Sequence, residues 1–271
     1  ITSLYSDKGN KIRTIQDNEK LLEKLQAYDP AFKEFFSFKT SEGISLNGYM
    51  IKPPEFDESK SYPVFMTQYS GPNSQSVMDS WSFGWHNYLA QEGYIIACVD
   101  GRGTGARGEE FRKMTYLQLG KYETIDQVET AKYLADKPYV DEENMAIWGW
   151  SYGGFMTCLA LTKGEGIFDA GIAVAPVTNW RYYDNIYTER FMRTPEENKE
   201  GYEKNSPLNF ADQLEGNLLL VHGSADDNVH VQNTMEFAER LVQADKQFDM
   251  HIYTNRNHGI YGGNTRYHLY T

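Results

Sequence analysis

The sequence predicts an α/β fold, a mostly parallel sheet flanked by helices on both faces. Three observations carry it. Short apolar runs of strand length recur at residues 64–69, 94–100, 145–149, 170–175, 218–222 and 248–253. Between them, apolar residues return at helical spacing, first as Ile125, Val128, Ala131 and Leu134, then as Met235, Ala238, Leu241 and Val242. Strands that alternate with helices form parallel sheets, because each crossover lays a helix on one face. The bulk numbers agree: 271 residues, 40% apolar and 24% charged, are ordinary for a globular domain with a proper core.

The chain before these elements reads differently. Asp7-Lys8-Gly9-Asn10 resembles a hairpin turn, followed by a short strand and a charged helical run over residues 18–25. Residues 35–53 read as two strands around Ser41-Glu42-Gly43. We expect a division into an N-terminal segment, 1–30, belonging to something upstream, and a main domain, 31–271. The chain opens at Ile1 with no charged-then-apolar leader, so it reads as a piece or processed form of a longer protein.

Composition also excludes some functions. A formal net charge of −12 repels nucleic-acid phosphates, so no nucleic-acid partner is expected. No apolar run approaches the roughly eighteen residues that a spanning helix needs. The two cysteines, Cys98 and Cys158, sit in apolar strand-like and helix-like runs, where free thiols pack as small hydrophobes. Neither H-E-x-x-H nor paired C-x-x-C spacing occurs, and no metal is expected.

Gly149-Trp150-Ser151-Tyr152-Gly153 matches G-x-S-x-G, the turn that lifts a nucleophilic serine out of a sheet. A serine hydroxyl attacks only when a base takes its proton and the backbone presents it. The motif is short, and its plainer reading is a βα turn with an incidental serine. Context favours the nucleophile, since a strand precedes the turn and helix-forming residues follow it. This points to an α/β-hydrolase fold, whose chain order is Ser, then an acid, then His. Asp226 and Asp227 follow the strand that ends in His222, and spacing does not choose between them. His258 follows the last clear strand. Of the other histidines, His86 and His230 lie in helix-like or loop contexts, His251 lies within a strand and His268 near the terminus. His222 is the rival base, but it precedes the acid and reads as structural.

Gly103-Thr104-Gly105-Ala106-Arg107-Gly108 also matches the dinucleotide pattern G-x-G-x-x-G. That reading needs a helix and a second strand within roughly thirty residues, with an acid at the strand tip. The next convincing strand starts only near Asn144, so no cofactor is expected.

Gln68-Tyr69-Ser70-Gly71-Pro72, Asp100-Gly101-Arg102-Gly103, the Ser151 elbow, Tyr182-Tyr183-Asp184, Tyr187-Thr188-Glu189-Arg190, His222 to Val229 and His258-Gly259 occur in this order. The ordered set resembles the dipeptidyl peptidase IV branch of the prolyl oligopeptidase family of serine peptidases. The resemblance implies a triad of Ser151, Asp226 and His258, and so selects Asp226 over Asp227. It implies an oxyanion hole formed by the Tyr152 backbone N–H and the Tyr69 hydroxyl; taken alone, Tyr69 reads as a strand-end aromatic packed on the core. It implies that Tyr152, Val177, Trp180, Tyr183, Tyr187 and Val229 line the pocket for the residue before the scissile bond. Without it, these aromatics read as a packed helical face. Asn228 is similar to the family's ligand for the preceding carbonyl, with Arg190 ordering that region. The glycine-rich stretch would be a surface loop.

The resemblance further implies cleavage of N-terminal dipeptides with proline or alanine in second place. Alternatives on the same fold are an acylaminoacyl-peptidase, an oligopeptidase, an esterase or a non-catalytic binding module. It implies peptide substrates with a free N-terminus, an exported protein, a homodimer, and an N-terminal β-propeller carrying two glutamates that grip the substrate amine. The propeller is not within this sequence, and the chain ends at Thr271, where the family's last helix would begin.

Overall fold

The computed structural model describes all residues, 1–271. A hairpin opens the chain: β1 (Thr2–Tyr5) and β2 (Lys11–Gln16) pair antiparallel, turning at Gly9, whose φ is +78°. Every residue of β2 is exposed, and this small sheet is separate from the main one. Helix α1 (Glu19–Gln26) follows and buries only Leu25. Next come β3 (Glu34–Lys39), β4 (Ser45–Ile51), β5 (Tyr62–Thr67), α2 (Trp85–Gln91) and β6 (Ile95–Asp100). The middle of the chain holds α3 (Glu109–Lys113), α4 (Lys121–Ala135), β7 (Val140–Trp150), α5 (Tyr152–Lys163) and β8 (Ala170–Val174). The last part holds α6 (Asn185–Met192), α7 (Lys199–Lys204), β9 (Asn217–Gly223), α8 (Gln232–Gln243), β10 (Asp249–Tyr253) and α9 (Thr265–Tyr270).

The main sheet has eight strands in the order β10-β9-β8-β7-β5-β6-β4-β3. β3 and β4 pair antiparallel at one edge, β4 meets β6 antiparallel, and all other pairs are parallel. The order reverses at β5, which lies between β6 and β7, and such switch points open a crevice at the strands' carboxyl ends. Alternation along the strands feeds two cores. Val64, Met66, Ile95 and Ala97 pack with α4, α5 and α8, while Phe65, Ile96 and Cys98 pack with Ala90 and Trp85 of α2. This is the α/β-hydrolase architecture, with helices on both faces.

Three local departures have physical causes. β7 starts at Val140 rather than near 145, because its first turn-side residues, Glu142 to Asn144, are polar and exposed and carry no apolar alternation. On α8 the buried face is Thr234, Phe237, Ala238 and Leu241, while Met235 and Val242 are 41% and 59% exposed. The polar residues Asn233 and Thr234 are drawn inward by hydrogen bonds to Thr178 and His222, which rotates the helix away from its purely apolar reading. The glycine-rich stretch is only partly a surface loop: residues 101–104 are buried. Arg102, 2% exposed, donates to Asp126 from its backbone N–H at 2.6 Å and its guanidinium at 2.7 Å, and pairs with Glu42 at 2.6 Å.

Cys98 and Cys158 are free and buried. No helix is long and apolar enough to cross a membrane. α9 already begins at Thr265, six residues ahead of the position where the sequence reading expects a last helix.

Candidate active site

Ser151 stands between β7 and α5 with φ 61° and ψ −114°. A non-glycine residue held there stores about 1–3 kcal/mol of strain, sustained only where neighbours over-determine it. They do so here. The Ser151 N–H donates to Val174 O at 2.8 Å, and its carbonyl accepts from Phe155 N at 3.0 Å. The motif glycines leave no room for side chains: a Cβ at Gly153 would lie 2.6 Å from Gln68 O, and one at Gly149 would meet Gly153 and Gln68 Nε2. Tyr152 is the first residue of α5, so its N–H has no acceptor inside the helix.

β9 and β10 are parallel neighbours, and the loops leaving their carboxyl ends meet. Ala225 N donates to Arg256 O at 3.0 Å and Asn255 N to Ser224 Oγ at 2.8 Å. The indole N–H of Trp150 fixes the His258 carbonyl at 3.0 Å. His258 Nδ1 lies 2.7 Å from Asp226 Oδ2. A carboxylate only accepts, so the shared proton sits on Nδ1 and leaves Nε2 free as a base. Ser151 Oγ makes no hydrogen bond to this ring; in free enzymes that bond commonly tightens only with substrate.

Asp226 is buried, and Asp227 beside it is exposed. Asp226 Oδ1 accepts from Asn228 N at 3.0 Å and Val229 N at 2.9 Å. Burial alone pushes this carboxyl upward, but hydrogen bonds from His222 and His258, the charge of His258 and the Asn228 N–H outweigh it. The net effect holds Asp226 well below the usual carboxylate range, so it stays ionised. His222 is fully buried, with Nε2 2.8 Å from Val229 O and 3.2 Å from Asp226 Oδ2, and Nδ1 2.7 Å from Thr234 Oγ1. Because Val229 O only accepts, Nε2 carries the proton and Nδ1 accepts from Thr234. His222 therefore supports the acid and is turned away from the base's role.

Tyr69 follows β5 across the switch point. It is 40% exposed, which sets aside packing on the core, and its ring centroid lies 6.0 Å from that of Tyr152. Ser70 behind it has φ 63° and donates to Gln68 Oε1 at 3.1 Å, while Gln68 Nε2 donates to Gly153 O at 2.8 Å. One glutamine thus ties the Tyr69 loop to the serine elbow.

The aromatic residues form one cluster. Tyr152, Val177, Trp180 and Val229 are buried in it, with Tyr183 and Tyr187 partly buried at its edge. Trp180 lies 5.4 Å from Tyr152 and 5.9 Å from Tyr187, and Tyr183 meets Tyr187 edge-on at 5.3 Å. Tyr183 Oη donates to Asn228 Oδ1 at 2.7 Å, joining the aromatic excursion to the Asp226 loop. Arg190 is exposed, makes no ion pair, and with Tyr187 lines a cavity of about 730 Å³.

Sequence reasoning missed Gln68, His222's contact with Asp226, Asn233 and Glu123. Glu123 is fully buried in the first turn of α4; its Oε1 accepts from Tyr152 Oη at 2.6 Å and its Oε2 from Gly120 N at 3.0 Å. Burial raises Glu123 to about 7 against the hydrogen bonds from Tyr152 and the backbone. Burial and the Glu123 charge in turn push the Tyr152 phenol well above its ordinary value. No group of three or more potential metal-ligating side chains is assembled.

Comparison with known proteins places this geometry. The family model described as "Prolyl oligopeptidase family" matches residues 81–271. A probable dipeptidyl-aminopeptidase B of Trichophyton verrucosum is 46% identical over 266 residues, covering 96% of this chain and 29% of that protein. A mouse protein named prolyl endopeptidase FAP is 42% identical over 276 residues, covering 100% of this chain and 36% of its own length. The crystal structure of Porphyromonas gingivalis dipeptidyl peptidase 4 superposes with a TM-score of 0.95 at 59% identity, covering 99% of this chain and 38% of that one. The chain thus spans about a third of the length of the relatives it matches. With its serine elbow and parallel sheet, the chain belongs to the prolyl oligopeptidase family.

Proposed function

We propose that this chain carries the catalytic machinery of a serine exopeptidase that releases N-terminal dipeptides with proline or alanine in second place. The observation that carries the reading is the 2.7 Å pair of His258 Nδ1 and Asp226 Oδ2, set at the same sheet end as the strained Ser151. His258 Nε2 takes the Ser151 proton as Oγ attacks the scissile carbonyl, then gives it to the leaving amine. Asp226 holds the imidazole and stabilises its charged form, and water hydrolyses the acyl-enzyme through the reversed roles. The Tyr152 N–H and the Tyr69 hydroxyl receive the developing oxyanion. The slot of Val177, Trp180, Tyr183, Tyr187 and Val229 suits proline, a rigid apolar ring that needs no acceptor for an N–H. Asn228 receives the preceding carbonyl, and Arg190 lines the cavity beside Tyr187.

In this reading residues 31–271 form the catalytic domain and 1–30 lead into it. The group that grips the substrate amine lies in another part of the full-length protein, in an N-terminal β-propeller, and the full-length protein is a homodimer. The full-length protein should hydrolyse a Gly-Pro chromogenic amide far faster than Gly-Lys; equal or preferred Gly-Lys turnover would sink the proline assignment. The name of the mouse relative favours a second reading, an endopeptidase, and an N-blocked Gly-Pro amide separates the two. Turnover of the blocked substrate at the rate of the free one would select the endopeptidase.

A further inference from the structure

Tyr152 has two jobs in the proposed function, as the oxyanion N–H and as a wall of the aromatic slot. Its ring is held at one end by α5 and at the other by a single polar contact. The residue is 2% exposed, and its hydroxyl has one partner, Glu123 Oε1 at 2.6 Å. Glu123 comes from α4, a different helix, and is itself locked by the Gly120 N–H at 3.0 Å. The neighbours of this pair are mainly aromatic and apolar, with the Asp126 carboxylate adding a repulsive charge. Phe155 meets Tyr152 edge-on at 5.4 Å, Trp180 lies 5.4 Å away, and Leu119 sits beside Gly120 in the same cluster.

We infer that Glu123 is a specificity-determining positioning residue, which pins the hydroxyl end of Tyr152 and so fixes the width of the slot for the residue before the scissile bond. The inference rests on the proposed peptidase reading and adds to it a residue that touches no substrate. A glutamate at the third position of a helix ordinarily caps the helix with a side chain in water. Here the carboxyl is fully buried, where an acid is costly unless both oxygens are engaged, and one of them is spent on Tyr152 rather than on the helix. The same burial raises its carboxyl above the usual carboxylate range. Without Glu123, the buried phenol has no acceptor, and the ring must swing to find one. Since Tyr152 packs at a tilt against Trp180, which stacks on Tyr187, that movement opens the slot to longer side chains.

The test uses the full-length protein with Gly-Pro and Gly-Leu chromogenic amides, and a separate sample of each variant is labelled at Ser151 with a fluorophosphonate. Labelling reads the peptidase chemistry by itself, because it needs no slot; the Pro-to-Leu ratio of kcat/KM reads Glu123. Glu123→Ala should lower that ratio about tenfold, the scale on which a pocket discriminates small differences in shape. Glu123→Gln should restore it to within about twofold, because a glutamine can accept from Gly120 N–H through Oε1 and donate to the Tyr152 hydroxyl through Nε2. A helix cap alone would predict lower stability in both variants with the ratio unmoved. Tyr152→Phe removes the same contact from the other side, with Glu123 intact, and should widen the slot likewise. Glu123→Ala or Tyr152→Phe proteins that label normally and keep the wild-type ratio would overturn the inference.

Discussion

The loops after β9 and β10 and the excursion between β8 and β9 converge on one site and are built on opposite principles. The first is a chain of charged hydrogen bonds: His258, Asp226, His222 and Thr234, with Asn228 and Val229 N–H groups filling the remaining carboxylate positions. The second is a cluster of rings, with Trp180 tilted against Tyr152 of α5 and stacked on Tyr187, and with hydrogen bonds at its margins, at Glu123 and Asn228. The difference teaches how function divides. In the proposed function the polar loops set what reaction occurs, and a lost member there costs rate with little change in packing. In the same reading the aromatic cluster sets which residue is accepted, and a lost member there costs both shape and stability.

Substitutions can break or sharpen that contrast. Ser151→Ala should have the largest effect, a kcat loss of ~10⁶ on Gly-Pro amide with the melting temperature held or raised, since the strained position loses its hydroxyl and nothing else. Asp226→Asn should follow at ~10⁴ in kcat, because an amide has one accepting oxygen and cannot serve both the ring N–H groups at Oδ2 and the Asn228 and Val229 N–H groups at Oδ1, so the imidazole loses its orientation. Tyr69→Phe should cost ~10²–10³ in kcat with KM nearly unchanged, the signature of a donor used only in the transition state. Trp180→Ala should behave differently, destabilising the protein by about 3–5 kcal/mol in a denaturant titration and raising KM as well as lowering kcat. If Trp180→Ala left stability intact, or Tyr69→Phe moved KM and kcat equally, the division between the two regions would fail.

The smallest effect concerns pH. Glu123 is raised from an ordinary 4.5 to about 7 in the folded state, so between those values the folded protein binds more protons than the unfolded chain. Stability therefore falls as pH rises through that window and stays reduced above it. Glu123→Gln has no such proton to lose. Its melting temperature relative to wild type should climb by a few degrees between pH 5 and pH 8, on the scale of ~2–4 °C per kcal/mol for a domain of this size. A flat difference across that range would show Glu123 to be ionised at no cost.

What could be read from the sequence follows the same divide. Ser151 was legible because its backbone demands glycine on both sides, and the strand-elbow-helix order is written in residue types. His258 was legible from chain order. The choice of Asp226 over Asp227 was not, because both follow β9; it depends on which one turns inward to accept the Asn228 and Val229 N–H groups, a tertiary matter. The aromatics of the slot carry no spacing that separates a pocket from a packed face, and only family resemblance singled them out. Glu123 left no signal, since a capping glutamate on the surface and one buried beneath a tyrosine look alike in sequence. The buried face of α8 was displaced for a related reason: hydrogen bonds of Asn233 and Thr234, invisible to a hydrophobic pattern, turn the helix.

The central claim is that Ser151 is a nucleophile armed by His258 and Asp226. Its most direct test is fluorophosphonate labelling of the full-length protein, with the modified residue located by peptide mass spectrometry and His258→Ala run alongside. The account predicts a single adduct on Ser151, formed rapidly in the wild type and slowed by ~10³ or more without the histidine. An adduct elsewhere, or labelling of Ser151 at an equal rate in both proteins, would contradict it.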